Sequence, residues 1–153
     1  EPQRTLLEEI VLRQVDRVEA PRVVITLGKP EVREVRRLGG RITIHGFLDR
    51  AGQQEMMNRA GMVVCRSGYT TVMELAELGK KALFIPTPGQ TEQEYLARYY
   101  EEHGFFHSVD QYELDLPADL EKARRMPGLP FTADTQANVE RLYRDLFAPV
   151  LER

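Results

Sequence analysis

The sequence has only one cysteine and no tryptophan among its 153 residues, and it lacks a long apolar run. A single cysteine, Cys65, excludes an intramolecular disulfide and a metal site built from several cysteines. Because Cys65 ends a short apolar segment, we interpret it as a small buried hydrophobic residue. No apolar run approaches the roughly 20 residues that span a bilayer, and no signal peptide is visible. We therefore expect a cytoplasmic setting.

An excess of positive charge is also absent, since the formal net charge is −3. Proteins that bind nucleic acid usually carry a basic patch, so nucleic acid is not the expected partner. One basic cluster does occur, but glutamates interrupt it, and we interpret it as the solvated face of a helix rather than a phosphate-binding patch. Its members are Arg33, Arg36, Arg37 and Arg41.

The sequence contains no complete catalytic motif. His45, His103 and His107 are scattered, and no histidine or carboxylate spacing is typical of a metal site. G-x-S-x-G, G-x-G-x-x-G and Walker A sequences are all missing. We predict no metal site and no cofactor, and we expect no self-contained reaction centre.

Short apolar runs alternate with helix-sized amphipathic segments along the chain. Several runs show no polar alternation, which is typical of strands buried on both faces of a parallel sheet. Glycines that can end helices follow the amphipathic segments, at 39–40, 61, 79 and 104. The pattern predicts a Rossmann-like, doubly wound α/β domain over residues 1–153. The predicted strands are 23–27, 42–44, 62–65, 82–85 and, more weakly, 105–107.

The two ends of the sequence carry predicted helices. The first runs from about Thr5 to Val18, and no strand precedes it, so we predict that the first strand of the sheet is missing. The last follows a breaker at 126–130, and its apolar stripe is Val139, Leu142, Tyr143, Leu146 and Phe147.

Four loops follow predicted strands and should face one crevice, because ligands of open parallel sheets bind beyond the carboxyl ends of the strands. Three of them lead into helices, whose amino ends favour a phosphate or pyrophosphate. The loops are 28–30, 46–49, 66–70 and 87–91.

Alternatives without a ligand exist for these loops. Thr71 to Glu74 and Thr91 to Glu94 both match the S/T-x-x-E capping box, in which the glutamate binds the amide of its own helix cap. Arg66 follows a buried strand at a helix start, which fits an anion site, but a salt bridge with a nearby glutamate explains it equally well.

Four stretches of sequence together resemble the C-terminal half of glycosyltransferase family 28. They are Phe47-Leu48-Asp49, the run from Val63 to Glu74, the run from Gly79 to Pro86, and Gln93-Glu94-Tyr95. The family includes the peptidoglycan N-acetylglucosaminyltransferase and the monogalactosyldiacylglycerol synthases. The resemblance implies a GT-B enzyme whose C-terminal domain binds a nucleotide-sugar donor, usually a UDP-sugar. The acceptor and the catalytic base would belong to an N-terminal domain that this sequence does not contain.

The resemblance also implies a role for each candidate residue. Glu74 would accept hydrogen bonds from the two ribose hydroxyls of the donor, which suits a carboxylate facing a cis-diol. Arg66 would lie near the base or the diphosphate. Leu48 would pair its backbone with the edge of the base, and Phe47 would form a wall of the pocket.

The remaining candidates would bind the diphosphate and the sugar. Hydroxyls and amides for the diphosphate would come from Ser67, Gly68, Thr70 and Thr71. Gln93 would bind hydroxyls of the donor sugar, with Glu94 beside it. The family often has consecutive glutamines or Asp-Gln here, and segment 87–91 lacks the histidine of the peptidoglycan enzyme. These departures leave the sugar undetermined and argue against peptidoglycan synthesis.

The implied activity is a metal-independent transfer of a hexose from a nucleotide diphosphate to a lipid or glycan acceptor. The fragment alone would be inactive, and the intact enzyme would be peripheral at the inner face of the membrane. Two other functions remain open. One is a sugar-nucleotide 2-epimerase of the same architecture, and the other is a non-catalytic α/β interaction module.

Overall fold

The computed structural model describes residues 2–130 of the chain. The predicted last helix, with its stripe from Val139 to Phe147, lies outside these residues. The helices are α1 (Pro2–Leu12), α2 (Arg50–Arg59), α3 (Tyr69–Glu77), α4 (Thr91–Glu102) and α5 (Leu116–Arg125), with a 3₁₀ turn at Val15–Arg17. The strands are β1 (Val23–Thr26), β2 (Val35–Leu38), β3 (Ile42–His45), β4 (Val63–Cys65), β5 (Ala82–Phe84) and β6 (His107–Ser108).

The second half of the described chain forms a parallel sheet in the order β4-β5-β6. The central strand β5 is fully buried. Leu83 packs into a core cluster on one face of the sheet, whereas Ala82 and Phe84 pack into another on the opposite face. This two-sided burial explains the uninterrupted apolar run and confirms the prediction of a doubly covered parallel sheet.

The first half forms a second sheet, β1-β3-β2, in which β1 and β3 are parallel and β2 is antiparallel. The interpretation of the arginine segment as a helix face is therefore wrong. Arg36 and Arg37 lie on strand β2, and all four residues of β2 are exposed. Gly39 and Gly40 do not end a helix but form the turn between β2 and β3, with φ of 54° and 73°. Such positive φ angles are accessible to glycine at little cost, so this pair favours a hairpin.

Helices cover both faces of the sheets and produce two core clusters. Residues from α1, the 3₁₀ turn and α5 pack with Ile42 and Ile44 of β3 and with Leu83 of β5, so this cluster joins the two sheets. Residues of α3 and α4 pack with Phe84 and Phe106 on the other side. This three-layer arrangement is the predicted α/β architecture.

The helix boundaries are mostly close to the prediction. Gly79, with φ of 58°, follows α3 as the expected left-handed residue. Gly61 is not in that conformation, because α2 ends one residue earlier in an extended cap at Ala60. The first helix is shorter than predicted and gives way to the 3₁₀ turn after Leu12.

Candidate functional site

Loops 28–30 and 46–49 meet at the carboxyl ends of β1 and β3. The amide of Lys29 donates a 2.8 Å hydrogen bond to the carbonyl of Gly46. The ammonium of Lys29 forms an ion pair with Glu8 of α1, so that this cation is already paired.

Loops 66–70 and 87–91 meet in the same way beyond β4 and β5. The hydroxyl of Ser67, which is fully buried, donates to the carbonyl of Gln93 at 2.7 Å. The amide of Tyr69 donates to the carboxylate of Glu92 at 3.2 Å. These bonds hold the start of α3 against the start of α4.

The first turn of α1 lies between the two pairs of loops. Arg4 donates to the carbonyl of Gly28 at 3.1 Å, on one side. On the other side, the carbonyl of Gln3 accepts a bond from Arg66, also at 3.1 Å, and its side chain accepts from the buried Gln111 at 2.8 Å. The four predicted loops therefore do gather at one edge of the domain. The contributions of Gln3, Arg4 and Gln111 were missed from the sequence.

Arg66 serves as a clamp at the centre of this edge. Its two terminal nitrogens donate to the carbonyls of Ile85, Pro86 and Gln3 and to the side chain of Gln111, at 2.6–3.1 Å. Burial lowers the pKa of the Arg66 guanidinium below its usual value. Among residues 2–130 no carboxylate pairs with it, so the salt-bridge alternative is wrong for the described chain. The acceptors of Arg66 are neutral, so its positive charge remains near the predicted anion site.

Glu74 does not form the capping box that its spacing allows. Helix α3 begins at Tyr69 with Gly68 as its cap, and no side chain caps it, so Thr71 lies inside the first turn and Glu74 in the second. Glu74 is exposed and accepts no hydrogen bond from the described part of the chain. Burial, and secondarily the charge of Glu74, raises the pKa of the Cys65 thiol to about 12. The negative charge of Glu74 is therefore felt at Cys65, the last residue of β4.

The remaining polar candidates line the start of α3. Gly68 places its backbone there as the helix cap. Thr70 is exposed and Thr71 is half-buried. Within the described residues, the amides of both threonines have no acceptor, as expected for the first turn of a helix. Ser67 points inward to Gln93, as described above.

The second predicted capping box also forms differently. Helix α4 starts at Thr91, and Gln90 is its cap. Glu94 accepts from the amide of Gly89 at 2.7 Å, and Gln93 accepts from the amide of Thr87 at 2.8 Å. Both side chains therefore shape loop 87–91, and the amide nitrogen of Gln93 is left without a protein acceptor in the described range.

The aromatic wall predicted at loop 46–49 lies beside an arginine. The guanidinium of Arg33 lies 5.7 Å from the centre of the Phe47 ring, which is within cation–π range. The carbonyl of Leu48 accepts a bond from the exposed Gln53 at 3.2 Å. Asp49 caps α2 by accepting from the amide of Gly52 at 2.8 Å. Both Phe47 and Leu48 are half-buried.

The described residues also bear on metal binding and membrane insertion. No group of three or more histidine, cysteine, aspartate or glutamate side chains in 2–130 is arranged to hold a metal ion. Over the same residues, no helix is long and apolar enough to cross a membrane.

Comparison with known sequences identifies the family. The family described as "Glycosyltransferase family 28 C-terminal domain" matches residues 4–144, which include every candidate site residue. The chain belongs to glycosyltransferase family 28. Its Rossmann-like α/β architecture is consistent with the fold that the resemblance implied.

Two relatives of this family 28 domain share the same name. A protein of Haemophilus influenzae is 34% identical over 113 residues, which are 71% of this chain and 31% of the relative. One from Mannheimia succiniciproducens is 35% identical over 118 residues, or 67% of this chain and 32% of the relative. Each is named UDP-N-acetylglucosamine–N-acetylmuramyl-(pentapeptide) pyrophosphoryl-undecaprenol N-acetylglucosamine transferase. The chain spans about a third of the length of these relatives.

Proposed function

We propose that this chain is the donor-binding domain of a glycosyltransferase that moves a hexose from a UDP-sugar to an acceptor. The observation that carries the proposal is the carboxylate of Glu74, which has no partner within residues 2–130. It lies one turn after the amides of Thr70 and Thr71, which have no acceptor in the same range. Thr70 and Glu74 are four residues apart and therefore share a helix face. A nucleoside diphosphate supplies what this face lacks: ribose hydroxyls that donate to the carboxylate and phosphate oxygens that accept from the amides.

The other residues complete the proposed donor site. The charge of Arg66 and the amino end of α3 stabilise the diphosphate electrostatically, even though the two terminal nitrogens of the guanidinium already donate to protein acceptors. Phe47 and Leu48 contact the base, and Gln93 offers its side-chain amide nitrogen to the sugar. In the reaction, the helix start and the nearby hydroxyls stabilise the charge that develops on the leaving diphosphate, without a metal ion.

The rest of the reaction belongs to the parts that this chain does not cover. The names of the relatives make UDP-N-acetylglucosamine the first donor to test and a pyrophosphoryl-linked lipid the first acceptor. A lipid acceptor would bring the intact, cytoplasmic enzyme to the inner face of the membrane. The catalytic base is assigned to the N-terminal domain, so this chain alone would bind the donor but turn nothing over.

The test is calorimetric titration of the 153-residue chain with UDP. Because hydrogen bonds to a charged group contribute about 1.5–3 kcal/mol, we expect Glu74→Ala to weaken UDP binding by about ten- to a hundredfold. Glu77→Ala is the matched control, since Glu77 is exposed on the same helix one turn further on. It should leave UDP binding unchanged, and EDTA should have no effect on the wild-type chain.

A second ligand shows which hydroxyls are involved. 2′-Deoxy-UDP should bind the wild-type chain more weakly than UDP, and the two ligands should bind Glu74→Ala equally. UDP binding that survives Glu74→Ala undiminished contradicts the ribose assignment. No heat with UDP, GDP or dTDP would instead favour the non-catalytic interaction module.

A further inference from the structure

Glu92 places a carboxylate where the diphosphate is proposed to bind. It is the second residue of α4, yet its carboxylate accepts from the amide of Tyr69, the first residue of the neighbouring α3. The amino end of a helix carries a partial positive charge that attracts anions. The protein thus supplies an anion of its own to the helix start that would hold the phosphates of a donor.

We propose that Glu92 is an internal competitor of the donor diphosphate and thereby limits the affinity of this site for nucleotides. The inference rests on the proposed function, because it takes the start of α3 as the phosphate position. When the donor binds, the Glu92 side chain gives up the amide of Tyr69 and turns into solvent, and a phosphate oxygen takes its place.

The geometry allows this exchange without disturbing the fold. Two hydrogen bonds join the start of α3 to the start of α4. The hydroxyl of Ser67 is buried, and its bond to the carbonyl of Gln93 keeps the two helix starts together. The bond from Tyr69 to Glu92 is exposed, so an incoming ligand can replace it while the first remains. Exposed contacts of this kind contribute little to stability, which makes them easy to displace.

The other acidic side chain in the first turn of α4 behaves differently. Glu94 turns back to the amide of Gly89 and stabilises the loop of its own helix. Glu92 reaches across to another helix instead, and so it is the one whose charge opposes a ligand at α3. Removing the charge of Glu92 should weaken the hydrogen bond that its side chain accepts from the Tyr69 amide, and it should relieve repulsion with the phosphates.

The experiment compares Glu92→Gln with the wild-type 153-residue chain by calorimetric titration. A charge at a helix end contributes about 0.3–1 kcal/mol, so we expect UDP to bind Glu92→Gln about two- to fivefold more tightly. Uridine has no phosphate, and its affinity should not change. The difference between the two proteins should shrink as salt is added. The control is Glu102→Gln, which makes the same charge change at the last, exposed residue of α4 and should leave UDP affinity unchanged.

The outcomes separate this inference from the proposed function. Wild-type binding of UDP with equal or weaker binding by Glu92→Gln overturns the competition while leaving the donor site in place. Equal tightening for uridine and UDP also overturns it, because the effect would not depend on phosphate. If Glu92→Ala binds UDP more weakly than the wild type, the contact positions α3 and does not compete. If no variant binds UDP, the proposed function fails, and the competition fails with it.

Discussion

At the scale of single residues, Arg66 shows how a cation can serve both the scaffold and a ligand. Its terminal nitrogens donate to the backbone just after β5, to the first turn of α1 and to the buried Gln111. All of these acceptors are neutral. The fork of a guanidinium can satisfy several such acceptors at fixed angles, and its positive charge remains uncompensated by them. Arg66 therefore fixes the geometry of the site edge while contributing a field that favours an anion.

The clamp makes Arg66→Lys a destabilising substitution despite the conserved charge. A lysine ammonium has three donors on a flexible stem and cannot reach the four acceptors that the guanidinium holds. We expect a loss of about 1–3 kcal/mol in the free energy of unfolding. Urea denaturation monitored by circular dichroism measures it. Arg59→Lys is the control, because within residues 2–130 the guanidinium of Arg59 pairs only with Glu55, at an exposed position. Equal effects of the two substitutions would contradict this role of Arg66.

At the scale of secondary-structure elements, a polar cluster joins α4, β6 and α5. The ring of His107 lies between two carboxylates, 2.8 Å from Glu101 and 3.2 Å from Asp119. Ser108 also donates to Glu101, at 2.7 Å, and Lys122 donates to Asp119, at 2.8 Å. Since β6 has only two residues, these side-chain bonds anchor it where its short ladder to β5 cannot.

The cluster makes the stability of the domain depend on pH on the acid side. Burial acts to raise the pKa of Asp119, but hydrogen bonds from Lys122, His107 and the amide of Asp115 outweigh it, and the net pKa is lowered. A carboxyl whose folded pKa is depressed stabilises the fold above its unfolded pKa of about 3.9, and this contribution is lost as the pH falls through the folded value.

We therefore expect Asp119→Asn to flatten the acid side of the stability profile. The wild-type chain should lose more free energy of unfolding than the variant as the pH is lowered from neutrality to below about 4. Urea denaturation at a series of pH values measures both. Asp110→Asn is a suitable comparison, since Asp110 is exposed and its carboxylate accepts, in the described part of the chain, only from the amide of Tyr112. Parallel curves for Asp119→Asn and the wild type would show that Asp119 carries no such linkage.

Elements buried on two faces could be predicted from the sequence, whereas exposed ones could not. Strand β5 has an unbroken apolar run because both of its faces are covered. Strand β2 is exposed at all four residues, so its arginines carry no periodic signal and resembled a helix face. Both capping boxes were misread because a cap depends on where the helix begins, and α3 begins three residues before the spacing requires. Gln3 and Gln111 were missed because they meet across 108 residues of sequence.

At the scale of the whole molecule, the two sheets share a core cluster but not a hydrogen-bonded ladder. Strand β1 pairs only with β3, and β4 only with β5, within residues 2–130. Helix α1 begins beside the carboxyl ends of both unpaired edges, through its bonds to Gly28 and Arg66. The first turn of α1 therefore links the carboxyl ends of β1 and β4.

The unpaired edges of β1 and β4 predict which amides exchange rapidly with solvent. Val23 and Leu27 donate to the β3 side, and Val63 donates to the β5 side. Because strand amides alternate in direction, those of Val24, Thr26 and Val64 point to the open edges. We expect these three to exchange rapidly and Leu83, in the buried central strand, to exchange slowly in hydrogen–deuterium exchange followed by NMR. Slow exchange at Val24 and Val64 that persists on dilution would mean that the edges are paired within the chain, whereas protection lost on dilution would mean that a second copy covers them.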